Sequence, residues 1–217
     1  MPAAAVPIPE AGQQKEVHVS TAAEFLAAIG PDTRILLDCE LLDLSTAPDY
    51  GTGSSDYYFW KQEYDGPVLV ITQVNNLTIA AQDPDRTAHT ISAVPRYADV
   101  LAFQFCTNLT LENITCGHTV EPGDCMGGVL SFRECRRTTV RNCGLYGCGI
   151  LGIRAHSGED LQILDCDIYE CSQGGVSLSQ VNGVTIENTT FRDLGGEAIH
   201  VRDCKNAVLD GEPIPQD

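Results

Sequence analysis

The second half of the chain repeats itself every 23 residues, and that period constrains the fold more than any other feature. The segments Asn76–Ile79, Asn108–Leu111, Arg137–Val140, Asp160–Ile163, Gly183–Ile186 and Asn206–Leu209 follow one another at offsets of 32, 29, 23, 23 and 23 residues. A second segment keeps the same rhythm through Val100–Phe103, Val129–Phe132, Ile153–His156, Val176–Ser179 and Ile199–Arg202. A third runs through Ile114/Cys116, Cys143/Leu145, Cys166/Ile168 and Thr189/Phe191. Each is a short alternating run, the signature of a strand. Three strands in 23 residues cannot pair within one repeat. Each must pair with its counterpart one repeat away, about 4.8 Å along. The expected fold is therefore all-β, a single-stranded parallel β-helix of about six coils. Its first two coils are longer because loops bulge from them.

Composition fits one such solenoid. The 217 residues suffice for one sizeable core, and the formal charge of -17 argues against nucleic acid as a partner. No apolar run reaches the roughly 20 residues of a membrane span, and the start lacks the pattern of a signal peptide. The ten Cys contain no Cys-x-x-Cys knuckle. Instead they fall into columns: Cys106 on Cys135, Cys143 on Cys166, Cys148 on Cys171. Positions that alternate Cys, Ile, Thr and Leu point inward, where a thiol acts as a small hydrophobe. No metal and no cofactor is expected. Free thiols suit a cytoplasmic or an anaerobe's reducing setting, although secretion stays open.

Residues 1–16 read as a flexible segment and 17–217 as the β-helix. Within it, 17–38 hold a capping helix and the first strand, 45–66 an aromatic loop, and 68–210 the coils. Thr21-Ala-Ala-Glu24 is a capping box, followed by Phe25, Leu26 and Ile29. Such a helix would plug the open end of the core. The first strand is expected at Arg34–Asp38. The C-terminal end has no comparable helix, so blunting by Pro213 and Pro215, a dimer contact through the uncapped end, and a longer parent chain all stay open. Asn113, Asn142, Asp165 and Asn188 form a column at a bend, where Asn and Asp tolerate left-handed backbone.

From about Val17 onward the chain resembles the right-handed parallel β-helix of the pectin-lyase-like superfamily. Tyr97–Leu101, Gly117–Leu130, Leu145–Gly149, Val17–Thr21 and Asp65–Pro67 resemble a group of bacterial right-handed β-helix repeat proteins without an assigned activity. The superfamily includes polysaccharide lyases and glycoside hydrolases, but a shared fold does not carry activity. The polygalacturonase-like motifs are missing: Gly117-His118 is followed by Thr119, and neither acidic motif is present. The acidic calcium cluster of pectate lyases is also missing.

Three constellations could carry chemistry. The first is a strip on one outer sheet face, with Arg154/Ser177/His200 beside His156/Ser179/Arg202. In this reading Leu101/Leu130 and Phe103/Phe132 continue the strip into the earlier coils. Two Arg and two His on an acidic protein suit an anionic group such as a uronate or phosphate, and His can transfer protons near neutrality. The second is the loop Gly117–Gly128 with His118, Glu121 and Asp124. Its residues could act as acid and base or hold a cation, or could serve only as a turn. The third is the aromatic loop with Tyr57, Tyr58 and Trp60, read as a loop and not a strand. Its rings could bind sugars or proteins, or could fold over Phe103 and Phe132.

The expected function is a non-catalytic module that binds a polysaccharide or a protein on its outer sheet face, using Arg154, His156, Ser177, Ser179, His200, Arg202, Tyr57, Tyr58, Trp60 and His118. The first alternative is a polysaccharide lyase or glycoside hydrolase acting on an acidic glycan, with His156, His200, Arg154, Arg202, Glu121 and Asp124 as the catalytic candidates. The second is a structural spacer.

Overall fold

The computed structural model describes residues 12–119, 126–147 and 149–216. Three parallel sheets wind around one core. The order within a coil is constant: a strand of a seven-stranded sheet, then one of a nine-stranded sheet, then one of a six-stranded sheet. One coil reads Leu130–Arg133, Arg136–Arg141 and Gly144–Tyr146; the next reads Leu151–His156, Glu159–Leu164 and Asp167–Tyr169. Each strand pairs in register with its counterpart one coil away, as in Arg136↔Glu159↔Asn182↔Lys205. The seven-stranded sheet holds six parallel strands, so the chain forms six coils of a parallel β-helix.

Alternation buries every second residue. Leu109/Leu111, Leu161/Ile163 and Val184/Ile186 stack along the interior. Cys106 and Cys135 are buried and adjacent, as are Cys143 and Cys166, and all eight described cysteines are free. Cys148 lies outside the described residues. The Asn column turns the chain between the nine- and six-stranded sheets with φ of 58°, 49°, 55° and 47° at Asn113, Asn142, Asp165 and Asn188. Its amides bond along the axis, with Asn142 Nδ2 donating to Asn113 Oδ1 at 2.8 Å. A second left-handed column, Gln73, Phe105, Glu134, Ser157, Gln180 and Asp203, ends each of the six parallel strands of the seven-stranded sheet.

The N-terminal helix runs Ala22–Ala28 behind the Thr21/Glu24 capping box and buries Ala22, Phe25 and Leu26. The strand order differs from expectation here. Lys15–Val19 is already a strand, parallel to Thr33–Leu37, so regular structure starts before residue 17. The aromatic segment also differs. Tyr58–Gln62 is an antiparallel strand against Pro67–Thr72, not a loop. Its alternation sends Tyr58 and Trp60 towards the core, where Tyr50 meets Trp60 edge-on at 5.0 Å, and Phe59 onto Val68, Val70, Ala98 and Ala102. At the other end, Glu212–Pro213 doubles back antiparallel on Val208–Leu209, and Ile214 packs on the last coil. That end is therefore partly covered by its own tail.

Candidate functional site

The outer face of the seven-stranded sheet carries a cleft of about 570 Å³. The sheet presents two outward columns, of which Val70, Ala102, Gln104, Ser131, Arg133, Arg154 and His156 form the floor. One is Val70/Ala102/Ser131/Arg154/Ser177/His200 and the other Thr72/Gln104/Arg133/His156/Ser179/Arg202. The expected pairing of Arg154, Ser177 and His200, and of His156, Ser179 and Arg202, holds in this register. The continuation into earlier coils does not. Leu130 pairs with Ile153 and Phe132 with Ala155, so Leu101, Leu130, Phe103 and Phe132 point inward. Ser131 and Arg133 take their places on the outer face. Because side chains alternate with period two, a slip of one residue exchanges the two faces of a strand. The slip lies between Leu130 and Ile153, which pair at the regular offset of 23, whereas setting Leu130 beside Arg154 takes an offset of 24. Phe103 and Phe132 stack in the core at 5.3 Å, so the aromatic segment does not cover them from outside.

The walls of the cleft come from elements that break the repeat. Lys61 and Glu63 belong to the antiparallel hairpin, while Tyr97, Asp99 and Met126 belong to the loops before and after the second coil. None of these was among the site candidates read from sequence. Tyr58-Phe-Trp-Lys-Gln62 shows no alternation in sequence, and only its pairing with Pro67–Thr72 places Phe59 and Lys61 on the outer face. Tyr57, Tyr58 and Trp60 are absent from the cleft lining. Tyr58 is buried, and its hydroxyl donates to Asp49 Oδ2 at 3.3 Å.

The charged groups of the cleft differ in how they are held. Lys61 Nζ lies 2.5 Å from Glu63 Oε1, so these two neutralise each other. Asp99 Oδ1 accepts from the Gly128 amide at 2.7 Å. His156 Nδ1 lies 2.7 Å from Ser179 Oγ. Among the described residues Arg133 has only a long contact with Glu134, at 3.9 Å. Arg154 is half-buried and has no hydrogen-bond or ion-pair partner among the described residues. An unpartnered guanidinium presents its fork of donors to whatever anion enters. Ser177 and His200 line a separate hollow of about 250 Å³ with Glu197. Arg202 is exposed on the last coil.

His118 is not a loop residue. It ends the strand Thr115–His118, is 2% exposed, and its Nε2 donates to the Ala98 carbonyl at 3.0 Å. Nδ1 is buried without a hydrogen-bond partner among the described residues. Burial pushes its pKa below the ordinary histidine value. The fold thus holds His118 neutral, while the unfolded chain takes up a proton below about pH 6.5. Stability from this group is present above that pH and is lost as pH falls through it. We expect the urea midpoint to fall from pH 7 to pH 5.5, and His118→Gln to flatten that slope. An unchanged slope in the variant would count against this role. His18 acts in the opposite sense, since its hydrogen bond to Asp38 raises its pKa, but it is exposed and weakly coupled. Glu121 and Asp124 lie outside the described residues.

The matched family is the right handed beta helix region, over residues 87–212, more than half of the chain. The chain belongs to this right-handed β-helix family. Among solved structures, it resembles a protein of Parabacteroides merdae, provisionally named a glycosyl hydrolase. The TM-score is 0.59 at 10% identity, covering 90% of this chain and 96% of that one. At that identity the likeness concerns the fold. Among curated proteins no sequence matches. No helix among the described residues of this β-helix protein is long and apolar enough to cross a membrane.

Proposed function

We propose that this β-helix protein is a non-catalytic module that binds an anionic carbohydrate in the cleft of its seven-stranded sheet. The observation that carries the reading is Arg154, half-buried in the cleft floor without a partner among the described residues. Three of the 13 Lys and Arg residues of a chain charged -17 line this one cleft, with His156 beside them. Such a local reversal of sign attracts anions and suits carboxylate or sulfate groups. Tyr97 and Met126 are exposed at the rim, where a ring and a thioether give apolar contact to a sugar face. The two carboxylates are already engaged, Glu63 by Lys61 and Asp99 by a backbone amide. That favours binding over proton transfer.

A glycan array bearing uronate, sulfated and neutral chains, followed by a reducing-end assay on the hits, tests the reading. Acidic glycans are expected to bind without turnover. Equal binding to neutral chains, or release of product, would refute it. Arg154→Ala is expected to weaken binding about 10- to 100-fold, the worth of a charge-assisted hydrogen bond. Arg141→Ala, on the nine-stranded sheet and paired with Glu112, should leave binding unchanged.

One observation favours a second reading, a glycoside hydrolase. Glu63, Asp99 and His156 line the same cleft, so two carboxylates and a base share one site. Product release that is lost in Asp99→Asn would establish it.

A further inference from the structure

Two of the cysteine columns place thiols face to face across neighbouring coils. Cys106 and Cys135 precede the paired residues Thr107 and Arg136, and the Arg136 amide donates to the Cys106 carbonyl at 2.9 Å. Cys143 and Cys166 precede the paired residues Gly144 and Asp167, and the Asp167 amide donates to the Cys143 carbonyl at 2.9 Å. Cys135 Sγ reaches back to the Phe103 carbonyl of the preceding coil at 3.5 Å, and Cys166 Sγ to the Val140 carbonyl at 3.5 Å, so each of these thiols leans towards the coil of its partner. Neighbouring strands lie about 4.8 Å apart, inside the Cα separation a disulfide requires. Packing alone would require only that these positions be small and apolar. In the same column as Cys106 and Cys135, Gly158 and Val181 fill the next two coils.

We propose that Cys106/Cys135 and Cys143/Cys166 are two cross-coil oxidation sites that close into disulfides when the chain folds in the presence of a low-molecular-weight disulfide. In the first step one thiolate attacks that disulfide, forms a mixed disulfide and releases one small thiol. In the second the facing thiol loses its proton, attacks the mixed disulfide and releases the other small thiol. Each closure thus oxidises two protein thiols and reduces one small disulfide to two thiols. Timing follows from burial. All four sulfurs lie in the core of the folded chain, away from any reagent, so exchange is slow there. The redox state is therefore fixed as the coils wind, and the finished fold retains it.

Refolding the reduced, urea-unfolded chain in glutathione and glutathione disulfide tests this, with alkylation and peptide mapping of the product. The expected product carries links 106–135 and 143–166, weighs about 4 Da less than the reduced chain, and melts higher by on the order of 10 °C. Cys116 and Cys204 should alkylate as thiols on unfolding, since Cys116 faces Ile91 and Leu145 and Cys204 faces Val181. Ten free thiols after refolding, or links between other partners, would overturn the proposal. Should oxidative refolding give only aggregate, a second arm holds the reduced protein with glutathione disulfide at the midpoint of its urea unfolding, where the coils open and rewind continually. The same two links must appear first there, and their absence overturns the proposal as well. Cys106→Ala should lose the first link and keep the second.

Discussion

Replacing Phe25 with Asp is expected to lift the N-terminal helix off the first coil and to destabilise the protein by on the order of 5 kcal/mol. The ring is fully buried in one cluster with Ile35, Leu37, Leu42 and Leu44. Losing its apolar burial costs about 2–3 kcal/mol. An unpaired carboxylate in the same place adds several more. A domain of this kind holds only about 5–15 kcal/mol in total. In a solenoid each coil contacts only its neighbours, so damage at one end acts first on the coil beside it. Amide exchange should therefore accelerate in Thr33–Leu37 and Leu41–Asp43 before it does in Glu159–Leu164, and a hydrophobic dye should bind. A melting temperature within about 2 °C of the parent would show that the helix is dispensable.

Phe103→Ala should cost about 3–5 kcal/mol, the usual range for removing a buried ring. Phe103 is 0% exposed and stacks on Phe132 across one coil boundary, at 5.3 Å and 16° between the rings. Its loss leaves a hole in the middle of the column, bounded by rigid ladders that cannot collapse into it. For a chain of this size that lowers the melting point by roughly 10 °C. Phe105 gives an internal control two residues away. It is 47% exposed and sits at a left-handed turn with φ of 56°. Phe105→Ala should change the urea midpoint little. Should the two variants lose similar stability, the inward assignment of the Phe103 column would be wrong.

The parts of the fold that repeat were legible in the sequence, and the parts that break the repeat were not. The 23-residue spacing located the strands of the last coils, the sulfur columns and the Asn bend, because each rests on a residue type with one physical preference. The left-handed column at Phe105, Glu134 and Ser157 gave no such signal. There the turn geometry forces the backbone, and the residues tolerate it without being chosen for it. The cleft was half visible. Arg154, His156 and their partners followed from the last coils, while Arg133 was hidden because Leu130, and not Val129, is the residue that pairs with Ile153. Lys61 and Glu63 were hidden because Tyr58–Gln62 sits among Gly, Ser and Asp residues and reads as a loop. His118 looked like a loop ligand because its strand ends where the insertion begins.

The unequal ends of the solenoid bear on how copies behave when crowded. At one end the helix plugs the core and the hairpin Tyr58–Gln62 turns the seven-stranded sheet antiparallel, a direction in which another parallel coil cannot add. At the other, the tail closes only the nine-stranded sheet. Thr190–Arg192 and Ile199–Arg202 remain the last strands of theirs. A bare strand edge is a template for a neighbouring molecule. These two carry Arg192, His200 and Arg202, with Asp193 and Asp203 immediately after them, all exposed. Charges so placed act as gatekeepers against fibre growth. Neutralising them is expected to let these two described strands pair with a neighbouring molecule, seen as light scattering that rises with protein concentration.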